Sequence, residues 1–594
     1  MKRLSTWVAT WKLIRFHPRS YLQFSALYIL NDCLLLLPGL ITQAFFDALT
    51  GSASAAFGVW GLLALLAAAG ITRIVSLYVR IYGEETFRCY GWALLRANIL
   101  ANVLRRPGAE PLPVPPGDAV SRMRWDVMEL ADWPSWLPYV LGHAVFVVVA
   151  LIVMFSIQPT ITAVAVLPLA AVGAVAHLGR ERMLHHNQAS RDAGSAVNGF
   201  LGEVLDAVQA VKVADAEADV AAHLHALSEV RRKAEVQYSL FWGILQWANM
   251  NLSDLGLGLV LLLAGQALRR SAGGGPSFTI GDLTLFVSYF HYVTEFPVTL
   301  GEFVADYQTQ AVSIKRLLEL QPHAPRGALV EHRPVYQRGE VAALPYAPKT
   351  DAHRLEVLQA SGLSFRHPDS GRGIEGVDLR IERGSFTVVT GRVGAGKTTL
   401  LRTLLGLLPL QGGEIRWNDQ RVADPATFFV PPHCAYTPQV PVLYSDPLRD
   451  NVLMGLPEER VDLEGAIRAA VLERDVEGLE EGLDTVVGPR GVRLSGGQIQ
   501  RAAAARMFVR DPELLVFDDL SSALDVETEQ ALWERLFGRG GAAPTCLVVS
   551  HRRAALRLAD QIIVLQDGKV LDEGKLEDLL ERCEEVRRLW EGES

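Results

Sequence analysis

The apolar residues of this chain are unevenly distributed, and that division constrains the fold more than any other feature. Crossing a bilayer takes roughly 20 consecutive apolar residues. Runs of that length are confined to the part before about residue 310. They fall near 20–46, 57–82, 134–157, 159–179, 238–268 and 280–304. The remainder has the mixed, charged composition of a water-soluble domain. The mean hydropathy of +0.18 averages these two halves. A length of 594 residues exceeds what one hydrophobic core supports, so at least two domains are expected.

The third and fourth runs are separated only by Gln158-Pro159, which predicts a tight turn at one membrane surface. Two other connections are long, polar and helix-prone. One carries Arg88, Arg96, Arg105, Arg106, Arg122 and Arg124; the other carries Arg180, Arg182, Arg191, Lys212, Arg231, Arg232 and Lys233. On the opposite side only Arg269 and Arg270 are basic. Positive residues stay inside. The expected topology is therefore multi-pass in the inner (plasma) membrane, with both termini, both long connections and the soluble domain cytoplasmic. The segment Met1 to Arg19 is basic and amphipathic and lacks the pattern of a cleavable signal peptide. It is expected to lie on the inner membrane surface.

The net charge of -9 is mild and points away from nucleic acid as a partner. Five cysteines without metal-ligand spacing argue against a disulfide framework. Asn31, Asp32, His143, Asn249, Asn251, Asp254 and Glu295 fall within the apolar runs. Ionisable groups at membrane depth are costly and face a bundle interior or a wet cavity. Asp32, His143, Asp254 and Glu295 are therefore candidates for a substrate path, against the alternative of hydrogen bonding between helices. Trp60, Phe146, Trp242, Trp247, Phe286 and Phe290 are compatible with amphipathic or cationic organic compounds, but equally with contacts to lipid.

Residues 321–354, rich in Pro, Ala, Arg and His, read as a linker. The expected domains are thus 1–320, the linker, and 355–594. In the last of these, Leu379–Ile381 and Phe386–Thr390 read as strands. The second runs into Gly391-Arg392-Val393-Gly394-Ala395-Gly396-Lys397-Thr398, and a helix is expected over Thr399–Leu408. Strand, glycine loop and helix N-terminus together form a phosphate cradle, because the glycines let backbone N–H groups turn toward an anion. Lys397 should reach the β- and γ-phosphates of ATP, and Thr398 should place its hydroxyl on Mg²⁺. Thr399 follows within the same nucleotide-binding turn. Leu514–Asp518 is an apolar strand ending in a carboxylate, which places Asp518 to hold Mg²⁺.

Further residues carry a family resemblance. Leu494-Ser495-Gly496-Gly497-Gln498 resembles the signature sequence of ATP-binding cassette (ABC) ATPases. Gln439, in Tyr436-Thr437-Pro438-Gln439, resembles the family's Mg²⁺-sensing Q-loop. Ser522-Ala523-Leu524-Asp525 resembles its D-loop, and His551 its switch histidine. With the membrane half, nearly the whole chain resembles an exporter-fold half-transporter. The implied fold is an all-α six-helix transmembrane domain followed by an α/β nucleotide-binding domain with helical and antiparallel β subdomains. The implied mechanism sandwiches two ATP molecules between two motor domains. Each nucleotide rests on one subunit's phosphate loop and is covered by the other's signature, here Ser495 to Gln498. Gly117–Arg122 with Asp126, and Ala210–Val213, resemble the two regions that couple motor to membrane.

The chain departs from this pattern at three places. Asp519 stands where the family has the glutamate that polarises the attacking water. Retraction of a carboxylate by about 1 Å can cost about 100-fold in rate. In the family this replacement is typical of one subunit of asymmetric heterodimers, as in bacterial multidrug-type exporters. Gly488-Pro489-Arg490-Gly491 lacks a glutamate expected at the coupling contact. His367 stands where an aromatic residue stacks on adenine. The resemblance implies an ATP-driven exporter subunit with a degenerate site of its own, paired with a second half-transporter, that moves a small-molecule, lipid or peptide substrate. A slow homodimer using Asp519, an importer with this fold and a non-pumping ATP-gated regulator are the alternatives.

Overall fold

The computed structural model describes residues 4–51, 57–272, 278–335, 348–537 and 543–591. It divides into two compact units. The first comprises Met1–Val103 with Leu112–Val335, and the second Leu104–Pro111 with Tyr336–Ser594.

The first unit is helical. Its helices are α1 (Thr6–Phe16), α2 (Pro18–Leu34), α3 (Leu36–Thr50), α4 (Val59–Leu104), α5 (Pro116–Asp132), α6 (Trp136–Ile157), α7 (Pro159–Asp206), α8 (Val208–Val213), α9 (Glu217–Ala272) and α10 (Ile280–Glu319). The first apolar run is thus two helices that meet at Leu35. Pro38 accounts for the break, because its nitrogen has no hydrogen to donate to the preceding turn. The Tyr289 hydroxyl donates to the Leu36 carbonyl beside it, at 2.6 Å. Pro159 opens α7 at a position where a missing N–H costs nothing, which produces the expected turn after α6. Among the described residues, Pro18–Thr50, Val59–Leu104 and Pro116–Ile157 are long and apolar enough to cross a membrane. The other three expected runs lie within α7, α9 and α10. The side chains of Arg180 and Asn249 lie outside the described residues.

Two larger apolar clusters hold this unit, besides a smaller one of Ile41, Leu62 and Ala69. One packs Phe146, Met154, Leu285, Phe286 and Tyr289 between α6 and α10. The other joins Leu94, Leu95 and Ile99 of α4 to Val127 and Leu130 of α5, Leu317 of α10, and Leu329 and Val330 beyond it. Residues 321–335, the first part of the stretch read as a linker, thus pack into the helical unit. The Asn98 amide holds them, donating to the carbonyls of Leu329 and Glu331 at 3.0 and 2.9 Å. Residues 336–347 lie outside the described residues.

The stretch from Gly117 to Asp126 lies inside α5 and is tied to α10. Arg122 pairs with Asp118 and Glu319 at 2.9 and 2.8 Å, and Arg316 with Asp126 and Asp118 at 3.2 and 3.3 Å. The neighbouring segment Leu104–Pro111 groups with the second unit, where the Ala109 N–H donates to the Leu407 carbonyl at 2.9 Å. Residues 210–213 form the exposed end of α8, with Val213 among the most exposed apolar residues.

The second unit contains two sheets. Strands β1 (Val357–Arg366), β2 (Gly373–Glu382), β4 (Gly412–Trp417) and β5 (Gln420–Arg421) form an antiparallel sheet in the order β2-β1-β4-β5. Strands β3 (Phe386–Thr390), β6 (Cys434–Thr437), β7 (Leu514–Asp518), β8 (Thr545–Val549), β9 (Gln561–Gln566) and β10 (Lys569–Gly574) form the larger sheet, ordered β10-β9-β3-β8-β7-β6. All of its pairings are parallel except β10 with β9. β3, β7 and β8 are buried along their whole length, as continuous Val/Leu/Phe runs in parallel sheets are. Helices follow as α11 (Lys397–Leu404), α12 (Pro425–Phe428), α13 (Leu448–Leu453), α14 (Leu463–Ala469), α15 (Glu473–Glu477), α16 (Gly496–Phe508), α17 (Val526–Phe537), α18 (Arg553–Leu558), α19 (Leu576–Arg582) and α20 (Glu584–Glu591).

Asn98→Ala leaves the Leu329 and Glu331 carbonyls without their donor in a buried site. The expected cost is about 1–3 kcal/mol. It should appear as a lower unfolding temperature of the purified full-length chain in lipid nanodiscs. An unchanged temperature would show that residues 321–335 are held by other contacts.

Candidate functional site

The parallel register lays the carboxyl ends of β3, β6, β7 and β8 along one edge. Val389 and Asp518 both sit opposite Val549, so the chain leaves the sheet at neighbouring points after β3 and β7. Residues 391–396 leave β3 there and enter α11. Gly391 has φ +143°, and a Cβ on it would stand 2.2 Å from the Leu565 carbonyl oxygen, so only glycine fits. The N-terminus of α11 presents unpaired N–H groups to whatever the loop encloses. Lys397 Nζ donates to the carbonyls of Gly391 and Arg392 at 2.6 and 2.8 Å, which holds the ammonium across the loop. Burial pushes the pKa of Lys397 down, and Asp519 and Asp518 oppose the shift. Arg392 points elsewhere and pairs with the buried Glu585 of α20 at 2.6 Å. Val393 is fully exposed at the loop's tip. Ala395 accepts the Gly568 N–H at 3.0 Å, and Thr399 lies within α11.

The Thr398 hydroxyl donates to Asp518 Oδ1 at 3.0 Å. Asp518 Oδ2 accepts from the Tyr436 hydroxyl at 3.3 Å. A hydroxyl and a carboxylate in contact are hard oxygen donors of the kind Mg²⁺ takes beside nucleotide phosphates, so the residues fit that ion. Burial pushes the Asp518 carboxyl up, and the hydrogen bonds from Thr398 and Tyr436 oppose this.

Asp519 adopts φ +55°, a left-handed conformation that aspartate tolerates better than most residues. Its N–H donates to the Val549 carbonyl at 3.1 Å, and its Oδ2 accepts from Gln439 Nε2 at 3.3 Å. Its Oδ1 is buried with no hydrogen-bond partner. Burial pushes this carboxyl up as well, and the His551 charge is the first of several that oppose it. The structure therefore brings Lys397, Thr398, Gln439, Asp518, Asp519 and His551 to one edge. Arg552, next to His551, donates to the Leu524 carbonyl at 2.9 Å and to Glu529 at 3.0 Å. His367 follows β1, with its ring edge-on to Phe365 at 4.8 Å.

Leu494 precedes the signature turn, and Ser495 caps α16. Ser495 Oγ accepts the Gln498 N–H at 3.3 Å, and the Gln498 side chain accepts the Ser495 N–H at 2.7 Å. This reciprocal capping box fixes the direction of the helix N-terminus. Gln498 and Arg501 are braced by Asp475 of α15, at 2.9 and 2.6 Å. Gly496 opens α16. A Cβ on Gly497 would lie 2.9 Å from the Ala523 carbonyl, so the signature packs closely on residues 520–523. Asp525 caps α17, accepting from the Thr528 N–H and hydroxyl, both at 2.8 Å. Tyr436, Asp475 and Glu585 carry no motif signal of their own and enter only through long-range packing.

In the helical unit, Asp32 and His143 are neighbours across α2 and α6. His143 Nε2 lies 3.0 Å from the Tyr292 carbonyl, and a Cβ on Gly142 would stand 2.6 Å from Asp32 Oδ2. Asp32 Oδ2 is buried without a partner. Asp254 on α9 and Glu295 on α10 are exposed and are not joined to that pair by any described contact.

Comparison with known proteins agrees with this geometry. Residues 24–295 match the ABC transporter transmembrane region, and residues 374–522 match the ABC transporter domain. A multidrug efflux ATP-binding/permease protein of Mycobacterium tuberculosis is 26% identical over 587 residues, covering 98% of this chain and 47% of that protein. The chain thus spans about half the length of this relative. An ATP-dependent lipid A-core flippase of Alkalilimnicola ehrlichii is 36% identical over 251 residues, 41% of this chain and 42% of the flippase. The structure of a bacterial Atm1-family ABC exporter with ATP bound shares the fold. Its TM-score is 0.75 at 21% identity, with 97% of this chain and 98% of that one covered. The chain belongs to the ABC transporters, with an exporter-type transmembrane domain ahead of an ABC nucleotide-binding domain.

Proposed function

We propose that this chain is one subunit of an ATP-driven exporter, holding ATP at a slow site of its own while completing the productive site of a different half-transporter. The observation that carries this reading is the pairing of Asp519 with an intact signature. The position that needs a carboxylate long enough to reach water has the shorter one, and that carboxylate is drawn onto Gln439. The signature turn is meanwhile fully formed, with its helix N-terminus capped and braced.

In this reading Gly391 to Gly396 cradle the phosphates with backbone N–H groups, and Lys397 leaves the loop carbonyls to meet the β- and γ-phosphates. Thr398 and Asp518 would hold Mg²⁺ with Gln439 nearby; bound there, the ion would neutralise phosphate charge. Asp519 and His551 orient water weakly at this site. Ser495 and Gly497 present the N-terminus of α16 to a γ-phosphate on the partner's loop. Closure and reopening of the paired motor domains would drive the membrane helices, with the motor on the cytoplasmic side. A slow homodimer is the second reading, favoured by the fact that Asp519 still supplies a carboxylate close to Gln439 and His551.

The chain expressed alone should hydrolyse ATP slowly, without stimulation by transported compounds. A stable assembly of this chain alone, with substrate-stimulated hydrolysis that disappears in Asp519→Asn, would defeat the heterodimer. Ser495→Ala, in a complex with a half-transporter that carries the glutamate, should lower turnover about tenfold or more, as loss of a transition-state donor does. ATP binding to this chain's own loop should be unchanged. Full turnover in that variant would remove the signature from the partner's site.

A further inference from the structure

We propose that Glu585 of α20 is a positioning residue for the nucleotide site, which holds the glycine loop through Arg392 in the shape that receives phosphates. The two residues lie 193 positions apart in the chain, and Glu585 Oε1 accepts from Arg392 Nε at 2.6 Å. The Glu585 side chain is 8% exposed, whereas that of Arg392 is 55% exposed. A carboxylate taken out of water adds little net stability even when paired, because desolvation offsets the attraction. The pair is therefore suited to fixing geometry rather than to strengthening the fold. The inference rests on the proposed function only in taking residues 391–396 as the phosphate cradle.

The place of Arg392 in the loop gives this tether its effect. Arg392 follows Gly391, at φ +143°, and precedes Gly394 and Gly396, at +84° and +101°. Glycine loses more conformational freedom on ordering than any other residue, so a loop of this kind has many alternatives when nothing pins it. A loop ordered before its ligand arrives binds more tightly, because less freedom is lost on binding. The Arg392 carbonyl is used twice inside the loop. It accepts from the Ala395 N–H at 3.1 Å and from Lys397 Nζ at 2.8 Å. A tether on the Arg392 side chain thus sets the direction of a carbonyl that shapes the turn and holds the ammonium.

Helix α20 can serve as a fixed post because it is anchored at both ends. Cys583, just before it, and Val586 enter the apolar core that also contains Leu556 of α18. Glu585 lies in the first turn, where the helix dipole favours an anion. At the other end the Trp590 carbonyl is one of the last in the helix, which have no partner within it. It accepts from Arg553 Nε and Nη2 at 3.0 and 2.6 Å. The guanidinium carbons of Arg553 and Arg557 lie 5.4 and 5.3 Å from the centre of the Trp590 ring, within reach of its π face. Arg553 opens α18 two residues after His551. The same helix therefore grips the glycine loop at its first turn and the segment after His551 at its last.

The test is the affinity of the full-length chain in lipid nanodiscs for ATP with Mg²⁺, read by displacement of a fluorescent ATP analogue. Glu585→Gln keeps the shape of the side chain and removes its charge. It should weaken ATP and ADP alike by about three- to tenfold, between the small effect of an exposed ion pair and the large effect of a buried one. Arg392→Gln should weaken binding equally, and the double variant no more than either alone, because all three lose one and the same interaction. Arg392→Lys, which can keep a single N–H contact, should stay within about twofold of the unchanged chain. Hydrogen–deuterium exchange of amides 391–396 in the nucleotide-free chain should quicken in Glu585→Gln, whereas a general loss of stability would spread over the whole second unit. Unchanged affinity in Glu585→Gln would overturn the inference. So would a loss in Arg392→Gln well beyond that in Glu585→Gln, which would put Arg392 on the nucleotide itself. Lys397→Ala separates the inference from the reading beneath it. If that variant abolishes ATP binding while Glu585→Gln leaves it intact, the phosphate cradle stands and the role of Glu585 falls. Full ATP binding in Lys397→Ala would overturn the cradle reading, and the inference with it.

Discussion

Everything in the nucleotide-binding unit depends on the parallel pairing of β3, β8, β7 and β6. A parallel sheet delivers successive strand ends to the same edge, and in open α/β sheets that carboxyl edge is where ligands bind. Here the pairing of Val389 and Asp518 with Val549 sets the distance between the glycine loop and the Asp518 carboxylate. The 3.0 Å contact of Thr398 with Asp518 is the local result of that register. A slip of one residue would turn Asp518 to the opposite face of the sheet. The buried Val, Leu and Phe side chains of these strands therefore serve the chemistry without touching it.

Asp519 shows how a small change redirects such a site. Burial, a left-handed backbone and the Gln439 amide hold its carboxylate, and one methylene separates it from the reach of a glutamate. The signature shows no matching loss. Its capping box, its brace at Asp475 and its close packing at Gly497 all consist of ordinary favourable contacts. On the proposed reading, Asp519 weakens this chain's own site while the signature that would serve a second nucleotide is fully built.

Much of this was legible in the sequence because it is local. The glycine loop, the strand ending at Asp518 and the turn after Pro159 each follow from neighbouring residues and from what Gly, Pro and apolar runs permit. The break at Leu35 was equally local, but an unbroken apolar run masks it unless Pro38 is given weight. What stayed hidden comes from residues far apart in the chain. Tyr436 meets Asp518 only through the β6–β7 register. Asp475 reaches the signature from a separate helix, and Asn98 captures residues 329–331 more than two hundred positions later.

The central claim is that this chain's own site is limited by the length of one side chain. The direct measurement is the single-turnover rate of ATP hydrolysis by the purified full-length chain, wild type against Asp519→Glu. Restoring the longer carboxylate should raise the rate by about 100-fold, the scale expected for moving a general base by about 1 Å. An unchanged or slower rate, with ATP binding intact, would contradict the account.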